Sequence, residues 1–134
     1  MKELLQKLKE LNLPKGKFAI FGSGSMGIRG IRKSRDLDII ATKDLFEECE
    51  RKTNFKIKEH KRNERVFKYL ESGDIEIYKE WGPGEWDVNQ LIQEAEIIDD
   101  FPFVRLEEVL KWKKIKSREK DLKDIKLIED YLEK

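Results

Sequence analysis

Asp36 and Asp38 are the residues whose types and spacing point most directly to chemistry. They begin an apolar run, 39–41, that has the composition of a buried strand. Because side chains alternate between the two faces of a strand, both carboxylates are expected on one face, with their Cα atoms about 6.5–7 Å apart. Two such carboxylates repel each other unless a cation lies between them, and oxygen-only ligation suits Mg²⁺ or Mn²⁺. The pair therefore predicts a divalent metal site.

The turn at Gly22-Ser23 indicates phosphate binding beside that metal. The apolar run 18–21 stops at this dipeptide, and twelve residues separate it from Asp36. Glycine lets backbone N–H groups approach an anion, the serine hydroxyl adds a donor, and the start of a following helix favours negative charge. Phosphate and metal are thus predicted to be handled together.

Residues 22–27 also satisfy the G-x-G-x-x-G pattern of dinucleotide-binding proteins. That pattern requires a full crossover helix and an acidic residue at the end of the second strand. Here Gly30 interrupts the helix, and the acidic pair begins a strand instead of ending one. We therefore discount a dinucleotide site; glycines that only form a tight turn remain an alternative.

The rest of the sequence predicts a single α+β domain over residues 1–134, with a small mixed β-sheet, helices packed on one face and a helical C-terminal end. Thr42, Asp87 and Ser117 are predicted helix caps. Helices are expected at 2–11, 24–31, 43–52, 88–95, 106–116 and 118–133. Strands are expected at 18–21, 36–42, 55–58, 66–70 and 75–78, with a small hairpin of 97–98 and 103–104.

Composition excludes several classes of protein. Charged residues make up 43% of the chain, but they nearly cancel to a net charge of +1, so any affinity for phosphate must come from local clusters. The lysine- and glutamate-rich composition is typical of heat-adapted, thermophile proteins. No apolar run approaches the roughly 18 residues of a membrane span, and no signal-peptide segment is visible, so we expect a cytoplasmic protein without membrane contact. Cys49 is the only cysteine, which excludes an intrachain disulfide and predicts a buried thiol.

An apolar strand ending in Gly22-Ser23, a spacer of about a dozen residues and Asp36-Leu37-Asp38 resemble the signature of the nucleotidyltransferase superfamily, which has the DNA polymerase β-like fold. Residues 106–113, LEEVLKWK, and 118–125, REKDLKDI, resemble the helical end of its small standalone members. Those members include antibiotic nucleotidyltransferases and the toxin-type enzymes of abortive-infection and toxin–antitoxin systems. The resemblance covers about residues 17–132.

The resemblance implies a third carboxylate on a later strand. Glu76 lies between Ile75 and Ile77 in the middle of a predicted strand, while Asp74 shares its face but lies at the turn. We choose Glu76, although an outward-facing polar residue of an antiparallel strand fits it equally well. Asp36, Asp38 and Glu76 would then be the catalytic, metal-binding residues.

Lys113 is predicted to bind phosphate, together with Gly22 and Ser23. It continues the apolar stripe of Leu106 and Val109, where a lysine either extends its amine to solvent or reaches a phosphate in a cleft. The resemblance favours phosphate. On the next helix, Asp121 and Asp124 are expected to stabilise the helix start, with Asp121 also a candidate to orient Lys113.

Other polar and aromatic residues carry weaker predictions. His60 is expected in a surface loop. Trp81 either covers a base or closes a hydrophobic edge, and the sequence does not decide between the two. A basic cluster before the second strand is expected to form a solvated face rather than a binding site for triphosphate or nucleic acid. This cluster comprises Arg29, Arg32, Lys33 and Arg35.

These residues together predict a Mg²⁺- or Mn²⁺-dependent nucleotidyltransferase that moves NMP from an NTP, such as ATP, to an acceptor hydroxyl and releases pyrophosphate. The acceptor could be a small molecule such as an antibiotic, a tRNA end or a protein hydroxyl. The alternative is a nucleotidyltransferase-fold binding module without catalysis, as one half of a two-protein complex. A homodimer or a heteromeric partner is compatible with both.

Overall fold

The computed structural model describes residues 1–62 and 64–134, which form a mixed α+β structure with one seven-stranded sheet and six helices. The predicted fold class is therefore confirmed at that level. The helices are α1 (Lys2–Glu10), α2 (Ser23–Ile28), α3 (Lys43–Glu50), α4 (Val88–Gln93), α5 (Leu106–Lys116) and α6 (Glu119–Leu132). The strands are β1 (Phe18–Phe21), β2 (Leu37–Ala41), β3 (Lys56–Arg62), β4 (Arg65–Ser72), β5 (Ile75–Tyr78), β6 (Glu96–Ile98) and β7 (Phe101–Phe103).

The strand order in the sheet is β3-β4-β5-β2-β1-β7-β6. The β2–β5 and β1–β7 pairs are parallel, whereas the central β1–β2 pair is antiparallel. A dinucleotide-binding unit requires two parallel strands joined by a crossover helix. The antiparallel pair therefore supports the decision to discount that site.

Helices cover both faces of the sheet, so the prediction that they pack on one face is wrong. One apolar core joins α1 and α3 to Phe18 and Ile20, and a second joins α2, α4, α5 and α6 to Ala19 and Phe21. All four residues of β1 are buried, so both faces of this strand need apolar cover. The alternation of single strands could not reveal this two-sided burial.

Strand alternation decides which face carries the acidic residues. Ile39 of β2 and both Ile75 and Ile77 of β5 belong to the core formed with α1 and α3. Their intervening neighbours Asp38 and Glu76 therefore face the other side, which α2, α4, α5 and α6 cover.

All three predicted caps lie at helix ends, with Ser117 as the C-cap of α5. The side chains of Thr42 and Asp87 accept hydrogen bonds from the backbone N–H three residues later and cap α3 and α4, as predicted. Ser117 ends α5 in a left-handed conformation, with φ of 51°, and Arg118 is the N-cap of α6. Cys49 is buried in α3, also as predicted.

β3 is longer than the predicted strand 55–58 and contains His60. The prediction that His60 lies in a surface loop is therefore wrong. β3 is an edge strand whose many charged residues obscure its alternation, and its pairing with β4 extends it. The predicted hairpin near residues 97–104 is confirmed as β6 and β7, joined by a turn at Asp99 and Asp100.

Candidate functional site

Two carboxylates lie side by side on the covered face of the sheet. Asp38 on β2 and Glu76 on β5 are direct Cα partners in the parallel β2–β5 pair. The hydroxyl Oη of Tyr78 donates a 2.8 Å hydrogen bond to Glu76 Oε1 and fixes that side chain. Asp74, the other candidate for a third carboxylate, instead forms a 2.9 Å ion pair with Lys7 of α1. Glu76 is therefore the carboxylate that neighbours Asp38.

Asp36 lies at the rim of this pair. The strand β2 begins at Leu37, one residue later than predicted, and Asp36 is an exposed residue of the bend before it. Its charge nevertheless acts on Asp38. Burial, followed by the charges of Glu76 and Asp36, raises the pKa of Asp38 to about 7, and the charges of Lys116 and Lys113 only partly offset this. The acidic cluster thus carries mutual repulsion that a cation would relieve.

Tyr78 is tied to the same cluster electrostatically. Burial and the hydrogen bond to Glu76 raise the pKa of Tyr78 far above its usual value. The phenol consequently stays protonated and remains a hydrogen-bond donor to Glu76 throughout the physiological range.

The Gly22-Ser23 turn lies directly against Asp38. Gly22 has φ of 66° and ψ of −140°, a backbone conformation that glycine adopts without strain. A β-carbon added there would lie 3.4 Å from Asp38 Oδ2 and 3.7 Å from the ring of Trp112. Only a residue without a side chain leaves the space between this turn and the carboxylate open.

Ser23 is linked to the segment before β2 by one hydrogen bond, to Ser34. Ser34 Oγ donates to the backbone oxygen of Asp36 at 2.7 Å, so its own oxygen is left to accept from Ser23 Oγ at 3.1 Å. The position of the Ser23 hydroxyl is therefore fixed relative to the backbone of Asp36. Gly24 has a different role, because a β-carbon there would lie 2.6 Å from the Ile20 side chain. Its absence lets α2 pack closely on the sheet.

Lys113 is buried and lies between two carboxylates of α6. Its Nζ is 2.8 Å from Asp124 Oδ2 and 3.4 Å from Asp121 Oδ1. Arg118 Nε donates to Asp121 at 2.7 Å, and Arg32 Nε lies 2.9 Å from Asp124. The predicted contact of Asp121 with Lys113 is therefore present.

Burial alone would raise the pKa of Asp121. The side-chain and backbone hydrogen bonds from Arg118 and the charges of Lys113 and Lys116 together lower it well below its usual value. Asp121 is thus ionised in the folded protein, and Lys113 is held by a fixed negative partner.

Asp38, Ser23 and Lys113 line one open cleft of about 530 Å³. Its other walls are strongly basic. The sequence prediction missed most of this basic lining, because α5, α6 and the segment after α2 contribute to it from distant positions. The spacing of lysines along the C-terminal helices could have predicted this basic lining. In so charged a chain, however, the same spacing is also typical of a solvated face. The basic residues that line the cleft are Arg32, Lys113, Lys116, Arg118, Lys120 and Lys123.

The predicted basic cluster before β2 divides in two. Arg32 joins the cleft, whereas the side chain of Arg29 is only 6% exposed and bonds to Ser25 and to Glu96. Arg29 is therefore a structural residue that ties α2 to β6.

A second, smaller pocket of about 130 Å³ also contacts Asp38. Asp38, Trp112 and Lys116 line both the cleft and this pocket. Most of its other lining residues are aromatic, and Glu80 and Gly82 complete the walls. The sequence did not group the aromatic residues because they come from β3, β4, β5, the following loop and α5. The aromatic residues are His60, Phe67, Tyr78, Trp81 and Trp112.

Within residues 1–62 and 64–134, no three His, Cys, Asp or Glu side chains are gathered closely enough to hold a metal ion. Every helix in that part of the chain is too short or too polar to cross a membrane. In comparisons with known proteins, the sequence matches no protein-family model, and no curated protein matches it.

Proposed function

We propose that this chain is a Mg²⁺-dependent nucleotidyltransferase, as its resemblance to that superfamily implies. The observation that carries the proposal is the position of Asp38. It is paired with Glu76, lies against the Gly22 turn and lines a cleft with Ser23 and Lys113. An acidic cluster beside a basic cleft is what a triphosphate and its metal require, because the two bring charges of opposite sign.

The donor set fits the metal in its chemistry. Asp36, Asp38 and Glu76 offer only oxygen ligands, which Mg²⁺ prefers. Burial, followed by the charges of Glu76 and Asp36, raises the pKa of Asp38. These side chains would have to turn toward one another to share an ion, since they are not gathered in the described structure. When bound, Mg²⁺ would offset phosphate charge and make the acceptor hydroxyl more acidic.

The basic cleft would hold the triphosphate. The backbone of the Gly22 turn would donate hydrogen bonds to phosphate oxygens, and Ser23 would do so once its hydroxyl turns from Ser34 to the phosphate. Lys113 would offset charge on the leaving pyrophosphate. Because Asp121 and Asp124 hold Lys113 in position, its ammonium is already oriented before the nucleotide enters.

The reaction balances without a protein nucleophile. The acceptor hydroxyl oxygen forms a bond to the α-phosphorus, and the bond from that phosphorus to the oxygen of the β-phosphate breaks. Glu76 accepts the hydroxyl proton, and pyrophosphate leaves with the bonding electron pair into the basic cleft. The residues contribute positioning and charge stabilisation.

One observation favours the second candidate, a nucleotidyltransferase-fold binding module without catalysis that forms one half of a two-protein complex. The carboxylates of the described residues are not gathered as a metal site. Thermal unfolding with each NTP, with and without Mg²⁺, separates the two candidates. Stabilisation by NTP that depends on Mg²⁺ supports the enzyme, and indifference to both supports the module.

The direct test of the proposed function uses NTPs labelled at either the α- or the γ-phosphate, with Mg²⁺ and a cell extract as the source of acceptors. Nucleotidyl transfer moves the α-label to an acceptor and releases the γ-label in pyrophosphate. Transfer of the γ-label, or no transfer above a protein-free control, would overturn the proposal.

A further inference from the structure

The aromatic pocket beside Asp38 has the size and walls of a site for one flat ring. His60 stacks on Phe67 with ring centroids 5.3 Å apart and an interplanar angle of 18°, and the ring centroids of Trp81 and Trp112 are 5.1 Å apart. Its volume of about 130 Å³ is close to the roughly 150 Å³ of a protein cavity that accommodates benzene.

Trp81, one of the residues that line this pocket, carries an unsatisfied polar group. The residue is 7% exposed, and its indole Nε1 is buried without a hydrogen-bond partner among the described residues. The other two tryptophans donate to backbone oxygens, Trp112 to Gly82 at 3.0 Å and Trp86 to Pro83 at 2.9 Å. A buried donor without an acceptor is destabilising, and a ligand oxygen or ring nitrogen that reaches this N–H would supply the acceptor.

Charged groups at the pocket complete its chemistry. Asp38 and Glu80 offer carboxylates that accept hydrogen bonds, although Glu80 is also ion-paired with Arg65 at 3.1 Å. Lys116 Nζ lies 4.0 Å over the ring of Trp112. The position of a bound cation on that ring is thus already taken by a lysine of the chain itself, which disfavours an ammonium ligand.

We propose that this pocket binds a nucleobase. A base is a flat ring that stacks on aromatic side chains, and it carries both a hydrogen-bond acceptor for Trp81 Nε1 and, in cytosine and adenine, an amino group for a carboxylate. An ammonium ligand supplies no acceptor for the indole N–H, and an apolar ring supplies neither that acceptor nor a donor for the carboxylates.

The base comes either from the donor NTP or from a nucleotide that serves as acceptor. Only the assignment of the base to a donor NTP or to an acceptor nucleotide rests on the proposed nucleotidyl transfer. In an in-line displacement, the attacking and leaving oxygens lie on opposite sides of the transferred phosphorus. The basic cleft and the aromatic pocket meet at Asp38. A donor NTP or an acceptor nucleotide could therefore place its base in the pocket while phosphate occupies the cleft.

The test titrates the full chain with cytidine and adenosine in the absence of metal, with ribose as the control ligand, and measures the dissociation constants by calorimetry. We expect at least one nucleoside to bind and ribose not to bind. Trp81→Phe keeps an aromatic ring but removes the N–H, and it should weaken binding roughly tenfold. Trp86→Phe, which alters a tryptophan outside the pocket, should leave binding unchanged.

A second variant keeps the test decisive if Trp81→Phe does not fold. His60→Ala on the edge strand removes one stacking surface and should weaken nucleoside binding by about fivefold or more. Absence of saturable nucleoside binding, or equal weakening by Trp81→Phe and Trp86→Phe, would overturn the proposal that this pocket binds a nucleobase.

Competition then identifies the source of the base. Displacement of the nucleoside by NTP with Mg²⁺ assigns the pocket to the donor, and simultaneous binding assigns it to an acceptor nucleotide. Nucleoside binding without label transfer would refute the proposed function and support the pocket. Label transfer that Trp81→Phe leaves unchanged, without nucleoside binding, would do the reverse.

Discussion

Asp38 on β2 is the direct Cα partner of Glu76 on the parallel strand β5, so two carboxylates meet on one face of the sheet. Partial burial and this neighbour raise the pKa of Asp38 to about 7. A folded-state pKa above the unfolded value means that ionisation of Asp38 destabilises the metal-free protein as the pH rises. The metal-free protein is therefore destabilised by this pair, and the proposed cation would relieve the repulsion.

We therefore expect Asp38→Asn to stabilise the protein in the presence of a chelator. The gain is small below about pH 4, grows as the pH rises to about 7 and then levels off at on the order of 2–4 kcal/mol, because the asparagine carries no charge. Urea unfolding at about pH 5 and about pH 8 measures it. Asp130→Asn, at an exposed position of α6, is the matched control. A gain that does not increase with pH would contradict the raised pKa.

Mg²⁺ should stabilise the wild-type protein more at about pH 8 than at about pH 6, because the ion binds the ionised carboxylate and must displace the proton from Asp38. The shift in unfolding temperature on adding Mg²⁺ measures this. The dependence should disappear in Asp38→Asn. An equal Mg²⁺ effect at both pH values would show that the ion does not bind this carboxylate.

Gly22→Ala should impair both stability and catalysis. The alanine would adopt φ of 66° with its β-carbon 3.4 Å from Asp38 Oδ2, and the strain costs about 1–3 kcal/mol. Gly30→Ala has a similar φ of 73° but open space around it, and is the matched control. Urea unfolding and label transfer are measured on both. Similar loss of transfer in the two variants would show that the turn at Gly22 has no special role.

Lys113→Met should destabilise the protein by about 2–3 kcal/mol, because it removes a cation from the buried carboxylates Asp121 and Asp124 while Arg118 and Arg32 remain. Lys126→Met, at an exposed position of α6, should change the free energy of unfolding by less than about 0.5 kcal/mol. A similar small effect of both would contradict the buried network. Loss of NTP-dependent stabilisation in Lys113→Met would support its role with phosphate.

The sequence predicted those parts of the fold that depend on local chemistry. Strand alternation placed Ile39 in the core and left Asp38 on the opposite face, and the caps at Thr42 and Asp87 followed from side chains that accept backbone hydrogen bonds. The helical end was also predicted closely, since its apolar stripes have the helical period.

Other parts depended on tertiary contacts that no local pattern encodes. His60 lies in a strand because β4 pairs with it, and it meets Trp81 at one pocket only through the order of the sheet. The two carboxylate partners of Lys113 likewise depend on the packing of α5 against α6.

Label transfer by Asp38→Asn, from an α-labelled NTP to acceptors of a cell extract, tests the central claim most directly. We predict a loss of at least about a hundredfold relative to the wild type, because a neutral amide replaces the carboxylate proposed to hold the metal. The same preparation should be at least as stable as the wild type in chelator, so the loss cannot come from unfolding. Transfer by a folded Asp38→Asn at a rate within about threefold of the wild type would contradict the proposed function.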